Sequence, residues 1–132
     1  NFVFTLDTNS IIYYAHGDSD AIKLLEGITS KNTPVYISSI TITELFSSSI
    51  SDKEAIAIEN TIRLFSITSV DSLIARNAGF LRREYKLKLG DSVIPATALF
   101  TVSMLVTRNI KDFKKVPNLK LLSPNRPILA LT

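Results

Sequence analysis

A chain of 132 residues, 45% hydrophobic and 20% charged, has the size and composition of one soluble domain with a buried core. No apolar run approaches the ~18 residues of a membrane span, and the absence of cysteine excludes disulfides and thiolate metal ligands, so a cytoplasmic protein is expected. The net charge of +3 is too mild to point to nucleic acid by itself. Its distribution says more: Arg108, Lys111, Lys114, Lys115, Lys120 and Arg126 crowd the last quarter, and Arg82, Arg83, Lys86 and Lys88 stand just before Asp91.

Residues 2–9, FVFTLDTN, open the chain with an apolar run that ends on a carboxylate. Such a run reads as a buried strand. In an open α/β sheet, ligands gather beyond the carboxyl ends of the strands, which is where Asp7 would lie. Residues 10–14 are a short apolar stretch leading into the turn HGDSD. Asp18 or Ser19 caps a helix over 20–31, with Ala21, Leu24, Leu25 and Ile28 on one face, and Asn32-Thr33-Pro34 breaks it. A second strand is expected at 35–38 and a helix from 39 to 48, with 47–51 the weakest stretch for regular structure.

Ala55, Ile58, Ile62 and Phe65 mark the face of another helix, followed by a brief strand at 67–70. Asp71 or Ser72 caps a helix carrying Ile74, Ala78, Leu81 and Tyr85 at helical spacing, a unit that Gly90 ends. Then come a helix over 92–103, a strand at 104–107, a helical turn near 111–113 and a last strand at 119–122. The tail, 123–132, has two prolines and an apolar ILAL segment suited to docking on the body or on a partner. Strands alternating with helices predict a three-layer α/β/α sandwich: one domain over 1–132, with a mainly parallel central sheet of four to five strands.

Each candidate acid has an ordinary structural explanation. Asp7 suits an Asx turn. Thr41-x-x-Glu44 has the form of a capping box. Asp91 follows Gly90 as an N-cap would, and Pro95 argues for a late helix start because proline fits only the first turn. Asn109 suits the cap of the turn that contains Asp112. Taken together, the acids mean more, because a parallel sheet gathers Asp7, Glu44, Asp91 and Asp112 at one edge, and like charges at close range call for a compensating cation. Oxygen ligands without histidine or cysteine suit Mg²⁺ or Mn²⁺ rather than zinc. His16, the only histidine, lies in a turn and reads as solvated, while Tyr13 and Tyr14 read as core or interface residues.

LDTN at 6–9, TITEL at 41–45, DSVIPATAL at 91–99 and LVTRNIKDF at 105–113 resemble, in order and spacing, the PIN-domain ribonucleases, above all the VapC-type toxins of toxin–antitoxin pairs. The resemblance spans nearly the whole chain and implies a PIN-like fold and metal-dependent hydrolysis of RNA with one or two Mg²⁺ or Mn²⁺ ions. Carried over, Asp7, Glu44, Asp91 and Asp112 are the metal-binding and catalytic acids, and Thr107 and Asn109 are auxiliary polar positions that orient ligands or water. Arg108, Lys111, Lys114 and Lys115 are placed to hold substrate phosphates. Ser92 and Pro95 depart from the alanines more usual in the third motif.

The partners implied are an RNA substrate, a cognate antitoxin protein and a second copy of the chain in a homodimer, with residues 13–15, 45–50 and the ILAL tail as apolar contact stretches. The competing expectation is a non-catalytic PIN-like module that binds RNA or protein; the full set of acids argues against it. A phosphoaspartyl protein on a similar sheet is disfavoured, since Leu6 and Asn9 stand where acidic partners of the strand-end aspartate would be needed.

Overall fold

The computed structural model describes residues 2–48 and 50–125. Five strands, β1 (Phe4–Leu6), β2 (Val35–Ser38), β3 (Ser66–Thr68), β4 (Met104–Val106) and β5 (Leu121–Leu122), form one sheet in the order β3-β2-β1-β4-β5. Every pairing is parallel, with Phe4 beside Val35 on one side and Met104 on the other. Seven helices connect them among the described residues: α1 (Thr8–Ala15), α2 (Ser19–Thr29), α3 (Ser39–Leu45), α4 (Asp52–Ile62), α5 (Ser72–Tyr85), α6 (Leu89–Phe100) and α7 (Ile110–Phe113).

Successive side chains of a strand point to opposite faces, and this alternation builds the layers. Phe4 and Leu6 enter a core with Ile11 of α1, Leu24, Leu25 and Ile28 of α2, and Ile62 of α4. On the other face, Leu105 packs with Ile94 and Ala98 of α6 and Phe113 of α7, while α5 lies outside α6 through Ile74, Ala78 and Leu81. The expected three-layer α/β/α sandwich is the observed one, with five strands.

Several local expectations need correction. Residues 10–14 are the body of α1, which starts one residue after β1 ends because Asp7 caps it at once. Helix α3 is capped by Ser38, whose hydroxyl accepts from Ile40 N, so Thr41 and Glu44 form no capping box and Glu44 sits near the C-terminal end of that helix. Phe65 lies beyond α4 yet stays buried just before β3.

Helix α6 starts at Leu89 with Lys88 at the cap position, so Asp91 lies inside the first turn and Pro95 in the helix interior. An interior proline removes the N–H that would bond the carbonyl of residue 91 and costs ~3 kcal/mol in a free helix. The run from Ser92 to Ala98 is buried throughout, against β1, β2, β4, α3 and α5. Tertiary packing overrides the local preference. The ILAL segment lies outside the described residues, as does Ser49 within the 45–50 stretch.

Candidate metal centre

In a parallel sheet ordered 3-2-1-4-5, the connections leave β1 and β4 in opposite senses, and a crevice opens between their carboxyl ends. Asp7 follows β1 and Thr107 follows β4 at that point. Asp7 is almost fully buried, and its Oδ1 accepts from Ser10 N at 2.8 Å and from Ser10 Oγ at 2.6 Å. The Asx-type role and the strand-edge position coexist: Asp7 is the N-cap of α1, and the cap fixes where its carboxylate stands.

Glu44 reaches the same edge from α3. The Thr8 hydroxyl donates to Glu44 Oε1 at 2.6 Å and lies 3.1 Å from buried Thr41 Oγ1, tying α1 to α3 across the crevice. The Glu44 carboxylate rests on the backbone of Gly90, where a Cβ would fall within the van der Waals envelope of Oε2. Gly90 is therefore the close-approach residue that lets α3 and the first turn of α6 share this space.

Asp91 lies in that first turn, half-buried, and the hydrogen bonds among the described residues give its carboxylate no side-chain partner. Burial pushes its pKa above the ordinary aspartate value, and the neighbouring charges of Glu44, Asp112 and Asp7 push the same way, against a smaller opposing influence from Lys88. Asp91 thus stands within reach of the fields of the other three acids named from the sequence. No three His, Cys, Asp or Glu side chains among the described residues converge closely enough to hold an ion as they stand.

The 107–112 segment completes the rim. Thr107 is fully buried and its Oγ1 accepts from Asn109 N at 2.9 Å. Asn109 occupies the cap position of α7 but makes no capping bond; its Nδ2 donates instead to Asp112 Oδ2 at 3.2 Å. Arg108 turns away from the acids, with its guanidinium 2.5 Å from Asp18 Oδ2 and stacked 4.3 Å from the Tyr13 ring centroid. That pairing holds the Asp18 carboxyl below the usual range. Lys115 approaches Asp112 Oδ1 at 4.0 Å, while Lys111 and Lys114 are exposed. Sequence reasoning missed Thr8, Ser10, Asp18 and Gly90. For Ser10 a signal was present, since an Asp with a hydroxyl residue three positions on, after a strand, is an N-cap pattern.

An all-parallel sheet with carboxylates near its switch point is a framework of α/β domains whose ligands bind at the strands' carboxyl ends. Residues 4–119 match the PIN domain family. The chain is 33% identical over 129 residues to Ribonuclease VapC2 of Rickettsia felis, covering 89% of this chain and 94% of that protein. Its fold superposes with a TM-score of 0.79 at 27% identity on the structure of VapBC2 from Rickettsia felis bound to a promoter DNA fragment, over 92% of this chain and 98% of that one. A toxin–antitoxin complex from Klebsiella pneumoniae gives a TM-score of 0.76 at 32% identity, over 94% and 98% of the two chains. The chain belongs to the PIN-domain family, in its VapC-type branch.

Proposed function

We propose that this chain is a metal-dependent endoribonuclease, the toxin of a toxin–antitoxin pair, and that Asp7, Glu44, Asp91 and Asp112 are its site acids. The observation that carries the reading is the crowding at the switch point: Asp91 is half-buried, its carboxylate has no side-chain hydrogen-bonding partner among the described residues, and the charges of Glu44, Asp112 and Asp7 oppose it. Carboxylate oxygens crowded about a half-buried aspartate form a donor set that suits a hard divalent cation. These residues would hold one or two Mg²⁺ or Mn²⁺ ions. When bound, such a cation supplies counter-charge to a phosphodiester and makes water a stronger acid near neutral pH.

The chain's own side chains prepare that site. Ser10 fixes Asp7 with two hydrogen bonds, Thr8 fixes Glu44, and Asn109 steers Asp112. Thr107 locks the turn that presents Asn109. Arg108, engaged by Asp18 and Tyr13, anchors the 107–112 segment, which leaves Lys111 and Lys114, in and just after that segment, as exposed cations for substrate phosphates.

The antitoxin reading is supported by an apolar groove between α1, α3 and α4, lined by Ile11, Ile12, Ala15, Leu45, Ile50 and Ile58 and reaching Glu44. A partner segment seated there would cover the acids. Self-association into a homodimer is the second expected contact. Among the described residues no helix is long and apolar enough to cross a membrane. The test is cleavage of total RNA by the purified chain in Mg²⁺, in Mn²⁺ and in EDTA. Metal-dependent cutting that Asp7→Asn lacks is the expected result. A folded wild-type protein, free of antitoxin, that leaves RNA intact in both metals favours a binding module instead.

A further inference from the structure

Beyond the acid-lined edge lies a second charged feature, an open groove lined by Gly79, Arg82, Arg83, Lys86, Leu87 and Lys88. We infer that this groove, between the end of α5 and the start of α6, is the track that holds the backbone of single-stranded RNA as it runs to the acids. The inference rests on the nuclease reading above and names the path by which that substrate is held.

Four of the six lining residues are cationic and none is acidic. None of the four makes an ion pair with a described residue, whereas Arg108 and Lys115 are committed to Asp18 and Asp112. The groove is held in shape by the chain itself. Arg82 Nη1 donates to the Leu87 carbonyl at 2.8 Å, pinning the connecting segment to α5. Lys86 caps α5 in the left-handed conformation at φ 55°, which turns the backbone directly into α6. At Gly79 a Cβ would meet nothing within 4 Å, so this wall opens on solvent and is not packed against protein.

Two features favour a single strand. Phe80, 48% exposed, stands beside Arg83, whose guanidinium carbon lies 5.7 Å from the ring centroid. An exposed aromatic face next to a cationic groove offers a stacking surface to an unpaired base while the cations follow its backbone. The groove also leads to the chemistry: Lys88, which lines it, occupies the cap position of α6, and Asp91 lies in the first turn of the same helix. A site lined with carboxylates repels a polyanion, and an adjoining cationic path offsets that repulsion.

The test uses the full chain carrying Asp7→Asn, so that substrate survives, and a fluorescently labelled sixteen-nucleotide single-stranded RNA of mixed sequence. Binding is read by anisotropy across a salt series. The Arg83→Glu/Lys86→Glu pair is expected to raise Kd about tenfold or more and to flatten the slope of log K against log salt by about 1.4, as two lost phosphate contacts on a single strand require. Phe80→Ala is expected to weaken binding about fivefold or more while leaving the salt slope unchanged. Lys23→Glu/Lys31→Glu, an equal charge change on exposed positions in α2 and just beyond its end, controls for net charge and is expected to stay within about twofold.

Unchanged affinity and slope in the groove pair, with the wild-type chain cutting RNA in metal, overturns the track and leaves the nuclease intact. Equal weakening by both pairs overturns it too, since net charge then explains the effect. A wild-type chain that does not cut RNA, with an Asp7→Asn chain that does not bind it, overturns the nuclease reading and the track together.

Discussion

The two ends of the sheet solve the problem of buried polar groups in opposite ways. At the amino end, below β1 and β4, Thr5, Thr101 and Ser103 form a cluster of neutral hydroxyls, with Ser103 Oγ 2.5 Å from Thr5 Oγ1 and 2.8 Å from Thr101 Oγ1. Thr101 Oγ1 also donates to the Thr97 carbonyl at 2.9 Å, so the hydroxyls and the end of α6 satisfy one another without charge. At the carboxyl end, Asp7, Glu44 and Asp112 are each held by a neighbouring donor, and Asp91 is left with like charges around it. One end is a finished piece of core. The other carries unrelieved repulsion, which a folded chain tolerates where a ligand is meant to offset it.

Removing a charge from the carboxyl end breaks the contrast most sharply. Asp91→Asn is expected to lower the RNA cleavage rate by about 10²-fold or more, the scale seen when a group that stabilises a transition state is lost. The same substitution is expected to raise Tm at neutral pH in metal-free buffer, because Asp91 is costly to ionise in the fold. The sign follows from its raised pKa: the cost is present above the ordinary aspartate range and disappears at low pH, where Asp91 is neutral folded or unfolded. Thermal melts of the two proteins from pH 3 to pH 7 check this, and a lower Tm for the variant throughout would refute it.

Asp7 has two duties, and two substitutions separate them. Asp7→Asn keeps a side-chain oxygen for the Ser10 cap, so cleavage is expected to vanish while stability changes little. Asp7→Ala loses the cap as well and is expected to cost about 1 kcal/mol more in denaturant unfolding.

At the amino end the expectation reverses. Thr5→Val removes one member of a buried hydroxyl set and is expected to cost about 1–2 kcal/mol with no change in the cleavage rate of the folded protein. The smallest effect belongs to the Arg108–Asp18 pair, which is partly exposed. Asp18 has a depressed pKa, so its contribution is present above the ordinary aspartate range and is lost as pH falls through its lowered value. In Asp18→Asn the acid limb of the stability curve is expected to be shallower, by urea melts between pH 2 and pH 5.

The sequence made the layers legible because they depend on local pattern, and the same pattern brought the four acids forward as candidates. Apolar strands alternated with amphipathic helices, and each acid stood at or shortly after a strand or at a helix entry. It did not reveal α1, because a short apolar stretch after a strand has too little periodicity to announce a helix without the Asp7 cap being noticed. Pro95 misled for a related reason: the local rule places proline in the first turn, and only the burial of α6 on several sides permits it further in. Thr41 and Glu44 had the spacing of a capping box, but β2 runs straight into α3 at Ser38 and takes the cap. Partners distant in sequence left no signal: Thr8 meets Glu44 across 36 positions, and Arg108 meets Asp18 across 90.

The most direct measurement of whether the four acids form one site is calorimetric titration of Mn²⁺ into the wild-type chain and into Asp7→Asn, Glu44→Gln, Asp91→Asn and Asp112→Asn. A shared site requires each substitution to weaken binding, with Asp7→Asn and Asp91→Asn weakening it most. Wild-type affinity retained in all four folded variants would contradict it.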